Sequence, residues 1–428
     1  MAMIRPESHA SWSRRRFLHS GLRAGAAGLT GWSALAGWGR LTAGEEGPSS
    51  EIPRDIAAVP DRTSRAPADP VAITRCLTYD LPAVQKSLAE TFDRIGGIEK
   101  LVRGKTIAVK LNITGNGRQK MCGLPSERTY QTHPVMVEAL CGLLAQAGAR
   151  RIKLLESYYE NRKPEEILSR HGWSVEKIVQ ASGGTAAFAD TRNIGEFKEY
   201  ATLKVPYGGY VFPQYMLNRH YTEADVLVSI AKLKNHITAG ITCSVKNLFG
   251  IAPTSLYGGD APNERTTQNR GAILHDGSRA VPSGVPVERY ADTPRVGYYR
   301  VPRVTADLFS LRPIDLAVVD GVESVFGGEG PWCPPPLRAT KPGVIIAGRN
   351  GVTTDAVCVG VMGYDPQAGY GEHPLPGENH LNLLARAGFG SNDLGKIEVR
   401  GVTLKDALHE YEPGRKKPGW VRKNLLEG

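Results

Sequence analysis

Residues 224–253 read ADVLVSIAKLKNHITAGITCSVKNLFGIAP. The run DVLVSIA is apolar without alternation, as in a strand covered on both faces. It ends in Lys232, Lys234 and His236, spaced two apart, so an extended chain turns all three to one side. The spacing of Ile241, Val245 and Leu248 predicts a helix starting near Thr238 and closing at Gly250. Thr238, Thr242 and Lys246 then line the opposite helix face, with Asn247 beside them. A strand end meeting a helix start sets ammonium groups beside free backbone N–H groups and hydroxyls. That combination suits an anion: a phosphate, a carboxylate or a developing enolate.

Working outward, KTIAVKLN (105–112) is a strand ending in Lys110 and Asn112. A helix follows, with Thr132 as N-cap, Pro134 in its first turn and Gly148 at its close. RIKLLES (151–157) is a strand ending in Glu156, and residues 164–222 read as irregular and partly helical. PIDLAVVDGVES (313–324) ends its apolar run at Asp320, followed by Glu323 and the loop FGGEGP. GVIIAGRNGVTTDAVCVGVMG (343–363) gives a strand, a turn at Asn350-Gly351 and a helix carrying Asp355 in its first turn. The class is therefore α/β, with a largely parallel sheet, or sheets, flanked by helices. Two lobes (71–256 and 301–402) are expected around a cleft, joined by a loop (257–300) long enough to act as a lid.

In open α/β sheets ligands bind beyond the carboxyl ends of the strands. Lys110, Asn112, Glu156, Lys232, Lys234, His236 and Asp320 are accordingly expected to share one site. His236 is expected to be a metal ligand or a general acid–base, with Lys246 beside it and Asp320 or Glu323 as partner carboxylates. Lys110, Asn112, Lys232, Lys234, Thr238, Thr242, Asn247, Gly328, Gly330 and Asp355 are the expected contacts to ligand or cofactor. The glycine loop at 327–331 lacks the spacing of a Walker or dinucleotide fingerprint, so its glycines are read as permitting close backbone approach. His133 is a helix cap or a chemical group; His373 and His380 are read as surface loop residues.

The formal charge is +10, of which the first 36 residues contribute five arginines against one glutamate. The remaining excess is modest, and the basic cluster RKKPGWVRK (415–423) is confined to a C-terminal tail (403–428). No nucleic-acid reading module is present in the sequence, so nucleic acid is not an expected partner. Six cysteines occur without a CxxC pair, which argues against a zinc ribbon or a cluster held by consecutive thiolates. The run SRRRFL (13–18), a Gly/Ala-rich apolar stretch and Ala34-Leu35-Ala36 together resemble a removable twin-arginine export signal (1–36). A periplasmic or otherwise exported protein handled by the twin-arginine translocase is the expectation, without a transmembrane anchor. Residues 37–70 read as a flexible linker.

Taken together, VKLN (109–112), residues 132–157, 224–253, LAVVDGVES with GGEGP (316–331) and 343–366 resemble the bacterial and archaeal domain of unknown function family 362. The resemblance covers roughly 71–402. Many members of that family carry an iron–sulfur ferredoxin segment, whose cysteines this chain lacks. A weaker similarity runs to the lactate racemase family, which uses a nickel-pincer nucleotide: His236 and Lys246 repeat the ten-residue spacing of its histidine and cofactor-tethering lysine. Its second histidine element has no counterpart, since TGNGR (114–118) lacks the histidine. The lysines and His236 at the strand ends point to an enzyme of oxidoreductase or isomerase type acting on a small anionic substrate, with a metal ion, or the pincer-like nucleotide that the weaker resemblance implies, as cofactor. The alternative is a periplasmic binding or cofactor-delivery protein without turnover.

Overall fold

The computed structural model describes residues 52–413, apart from 116, 159–161, 193–199 and 264–268. The export-signal stretch and the 415–423 cluster lie outside the described residues. The strands are β1 (Val71–Arg75), β2 (Thr106–Lys110), β3 (Arg151–Glu156), β4 (Ala186–Asp190), β5 (Tyr200–Lys204), β6 (Gln214–Asn218), β7 (Val226–His236), β8 (Gly240–Ile241), β9 (Leu316–Phe326), β10 (Arg338–Thr340), β11 (Val344–Gly348) and β12 (Val399–Gly401). The main sheet runs β12-β1-β11-β9-β7-β2-β3-β4, with β5 and β6 paired separately as a hairpin. β9, β7, β2, β3 and β4 are mutually parallel, and β11 runs against both β9 and β1. One sheet thus passes through both halves of the chain, where two lobes had been expected.

Alternation along the strands explains the layering. Ile107 and Val109 of β2, Val228 and Ile230 of β7, and Leu316 and Val318 of β9 face one core. That core is closed by α1 (Leu81–Arg94) and α2 (Pro134–Gln146), through Val84, Leu88 and Phe92 and through Met136, Leu140 and Leu144. Ala108, Leu227, Ala317 and Val319 face the other core, where α3 (Cys243–Asn247), α4 (Gly297–Leu311), α5 (Gly351–Val361) and α6 (His380–Ala387) pack. Burial on both sides is why the strand sequences lack a polar alternation. Among the described residues no helix is long and apolar enough to cross a membrane.

Several local expectations shift. The α2 N-cap is His133, whose Nδ1 accepts from Val135 N–H at 3.2 Å, with Pro134 as the first helical residue. The expected helix from Thr238 begins only at Cys243, because residues 235–241 first fold back as a β7–β8 hairpin. Asp355 lies past the first turn of α5, whose cap is Asn350, accepting from Val352 and Thr353 N–H. The stretch 164–222, expected to be irregular and partly helical, does contain helices at Pro164–Arg170 and Val175–Ala181, and also β4, β5 and β6, which were not expected. Within 37–70, residues Arg54–Ala57 form a helical turn; Ile56 and Val59 join the core, and the Asp55 carboxylate is buried against Arg303. His380 is fully buried at the start of α6, not in a surface loop.

Candidate active site

The carboxyl ends of β2, β3 and β7 and the start of α3 enclose a pocket of about 470 Å³, part of it open to solvent. Lys110, Asn112, Lys234, His236, Thr242, Lys246 and Asn247 line it, as expected from the sequence, and Glu156 joins them. Phe249, Arg270 and Glu329 complete the wall. Lys232, Asp320, Glu323, Thr238, Gly328, Gly330 and Asp355 do not line the pocket.

The split begins at a register break between β7 and β9. Lys232 lies opposite Asp320, but Lys234, two residues on, lies opposite Val325. Asp320 lies just before this break, paired with Lys232, and Glu323 lies within the extra β9 residues; neither is in the pocket wall. Asp320 instead accepts from Lys232 Nζ (2.7 Å), Tyr79 OH (2.9 Å) and the His133 N–H (3.1 Å). Lys232 also donates to Tyr79 OH and to the carbonyls of Glu127 and Glu323, so this buried pair is saturated. Glu323 is held by Arg128 (2.6 and 2.8 Å) and Lys341; the Arg128 hydrogen bond chiefly pulls its pKa down to about 2, against burial. Asp355 anchors α3 from below, accepting from Ser244 N–H (2.8 Å), Ser244 Oγ (2.5 Å) and Val245 N–H (2.7 Å). With Cys243 and Cys358 it forms a buried cluster whose donor atoms lie within 4.8 Å of one another. Both Asp355 oxygens already accept hydrogen bonds, which makes this a helix anchor. A Cβ on Gly328 would meet Cys333 Sγ at 2.5 Å, and one on Gly330 would meet the Trp332 ring at 2.3 Å. These glycines therefore admit neighbouring side chains rather than a ligand.

Within the pocket, Lys110 donates to both Glu156 oxygens (2.8 and 2.9 Å) and to the Leu111 carbonyl (2.6 Å). Glu156 also accepts from the N–H groups of Ile113 and Ser157, and the pair forms a fully bonded floor. Asn247 is fixed by Ser229 Oγ and Asn112. Lys234 donates to the carbonyls of Tyr130 and Glu329. Burial pushes its pKa down to about 7, with Glu329 opposing and Lys232 reinforcing the shift.

Lys246 differs. It is 7% exposed, its Nζ lies 4.2 Å from the centre of the Phe249 ring, and it has no hydrogen-bond partner among the described residues. Burial lowers its pKa to about 7; Glu329 works against this, while Arg270 and Lys110 add to it. Thr242 Oγ1, in the same wall, is likewise buried without a hydrogen-bond partner among the described residues. Arg270 is held in place by the carbonyls of Ala252 (2.5 Å) and Gly250 (3.1 Å), and so supplies fixed positive charge. It opens the wide helical turn Gly271–His275 within the loop expected to act as a lid.

His236 Nδ1 accepts from the backbone N–H groups of Thr238 (3.2 Å) and Ala239 (3.3 Å). These obligatory donors require the Nδ1 lone pair, so the neutral ring carries its proton on Nε2. Burial holds the pKa well below 6.5; Glu329 resists, and Lys246, His275 and Lys234 reinforce it. A metal bound at Nε2 would need the opposite tautomer, with an N–H facing two N–H groups. The arrangement thus does not fit His236 as a metal ligand. It fits a neutral hydrogen-bond donor. Burial raises the Glu329 pKa, but hydrogen bonds from the N–H of Ile237 (3.0 Å) and the indole N–H of Trp332 (3.3 Å) outweigh it, leaving an anion.

Arg270 had no legible signal: it is one arginine among several in a Gly/Pro-rich loop. Glu329 sits in the glycine loop already singled out, where its anionic charge rather than the glycines faces the pocket.

A thylakoid-associated protein of Synechocystis sp. is 25% identical over 199 residues, which are 43% of this chain and 50% of that protein. The chain therefore spans about half the length of this curated relative. The lactate racemase apoprotein of Thermoanaerobacterium thermosaccharolyticum is similar at 14% identity with a TM-score of 0.36, over 74% of this chain and 60% of that one. So low a score carries no functional argument. A family model matches residues 107–360, which include every residue of the pocket wall, and the chain belongs to that family, described as a domain of unknown function, DUF362.

Proposed function

We propose that this chain is an exported enzyme, of oxidoreductase or isomerase type, acting on a small anion bound at the pocket formed by β2, β3, β7 and α3. The observation that carries this reading is the pair of uncommitted donors, Lys246 Nζ and Thr242 Oγ1, in a wall that also holds Arg270 and Lys234. A buried hydroxyl without a partner costs stability of about 1–3 kcal/mol, and a ligand oxygen removes that cost. His236 supplies a neutral N–H donor and Glu329 an anionic acceptor, so the pocket holds charge and moves protons in one place. A metal held by His236 has no place in this reading. Export rests on residues 13–18 and 34–36, and replacing Arg14, Arg15 and Arg16 together by Lys should retain the protein in the cytoplasm on fractionation.

Calorimetric titration with acetate, lactate and pyruvate tests the anion site. Wild type should bind at least one of them. Lys246→Ala and Thr242→Val, folded by circular dichroism, should bind about tenfold or more weakly, the loss of a charge-assisted hydrogen bond. Unchanged affinities would remove the site. Binding of a carboxylate that is never turned over, by protein isolated with whatever it carries natively, would favour a binding or cofactor-delivery protein.

A further inference from the structure

The buried lysines among the described residues are Lys110, Lys232, Lys234 and Lys246. The first three are spent: each donates to carboxylate or carbonyl oxygens. Lys246 donates to none, and its amine lies over the Phe249 face at the pocket wall. An ammonium left in that position has the Phe249 face but no hydrogen-bond acceptor among the described residues, whereas a neutral amine there presents its lone pair to the pocket. Nearby fixed cations, Arg270 and the Lys110 head group, favour the same neutral state. They also attract a carboxylate, and the spare Thr242 hydroxyl offers it a hydrogen bond.

We propose that Lys246 is a nucleophile that forms an imine with the carbonyl carbon of a small oxo-carboxylate bound in this pocket. The inference deepens the anion-site reading above and rests on it. The amine nitrogen bonds to the carbonyl carbon and the carbon–oxygen bond breaks. The oxygen leaves as water, carrying away the two protons the amine gives up, and no oxidant or reductant is consumed. The substrate class is a 2-oxo acid or an aldehyde acid. Its carboxylate meets the cations while its carbonyl meets the amine. Once its nitrogen takes up a proton from solvent, the imine becomes an iminium that draws electrons from the adjacent carbon, which suits isomerisation next to a carboxylate. Lowering of the Lys246 pKa to about 7 accords with this chemistry.

Reductive trapping tests it. The full chain is incubated at pH 7 with pyruvate, or separately glyoxylate, and sodium cyanoborohydride, and adducts are mapped by peptide mass spectrometry. The expected result is modification at Lys246 about a hundredfold faster than at exposed Lys86 or Lys100. Lys246→Arg keeps a hydrogen-bond donor for the carboxylate but forms no imine, so it should lose the adduct while still binding pyruvate. Should that variant fail to fold, the wild-type map decides alone. Adducts confined to exposed lysines, with pyruvate binding intact, would overturn the imine and leave the anion site standing. No carboxylate binding by wild type, together with no adduct at Lys246, would remove both.

Discussion

Lys232 and Lys234 stand two residues apart on one strand, yet their ammonium groups have different neighbours. The Lys232–Asp320 pair is wholly buried and shares its hydrogen bonds with Tyr79, on whose ring His133 stacks at 3.6 Å. Asp320→Ala leaves a buried ammonium unpaired and should cost about 3–5 kcal/mol in chemical denaturation. Carboxylate affinity at the pocket should be unchanged in the folded variant. Lys234 gives a pH dependence. Its folded pKa is about 7, against 10.5 for an unperturbed lysine. Between those values the unfolded chain binds more protons than the folded one, so this group makes stability rise with pH from about 7 upward. Lys234→Met, which needs no proton, should flatten the slope of unfolding free energy between about pH 7 and 9. A steeper slope in the variant would contradict the assignment.

At the level of elements, the loop from Tyr207 to Tyr215 is held by a single carboxylate. Asp307 of α4 accepts from the N–H groups of Tyr210 (2.7 Å), Val211 (2.9 Å) and Phe212 (3.3 Å) and from the hydroxyls of Tyr207 and Tyr215 (3.1 Å each). Burial still raises its pKa to about 6, with those donors opposing. Asp307→Ala leaves several buried donors unmet, and a loss of about 3 kcal/mol or more is expected, with new proteolytic cleavage near residue 208 in the folded protein. The same scale shows what could be read from the chain beforehand. β2, β3, β7, β9 and β11 were legible because each is an apolar run ending in polar residues, and α5 because Asn350-Gly351 punctuates it. β4, β5 and β6 were not, since each is five residues long with partly exposed positions. Half of the expected residues line one pocket because strand ends do gather there. The other half lie outside it because a register break between two strands leaves no mark in either sequence, and because the hairpin at 235–241 delays the helix.

For the whole molecule, the stretch before β1 belongs to the fold. Asp55 pairs with Arg303, which also reaches Glu378 at 3.1 Å, and Ile56 and Val59 are buried. A chain beginning at 71 should melt well below one beginning at 52, because Arg303 would then be a buried cation missing its principal carboxylate, at about 3–5 kcal/mol. Equal melting temperatures would show that these contacts contribute nothing. β1 itself pairs only with β11 and β12, the last strands of the main sheet. During synthesis it is made first among them and has no partner until nearly the whole chain has emerged. The sheet can grow outward from β2, β3 and β7, but its far side must stay open until the end of translation. An early-arrested chain would present β1 and the bare flank of β9 as unpaired edges, so chaperone capture should peak for ribosome-bound chains that stop before β11.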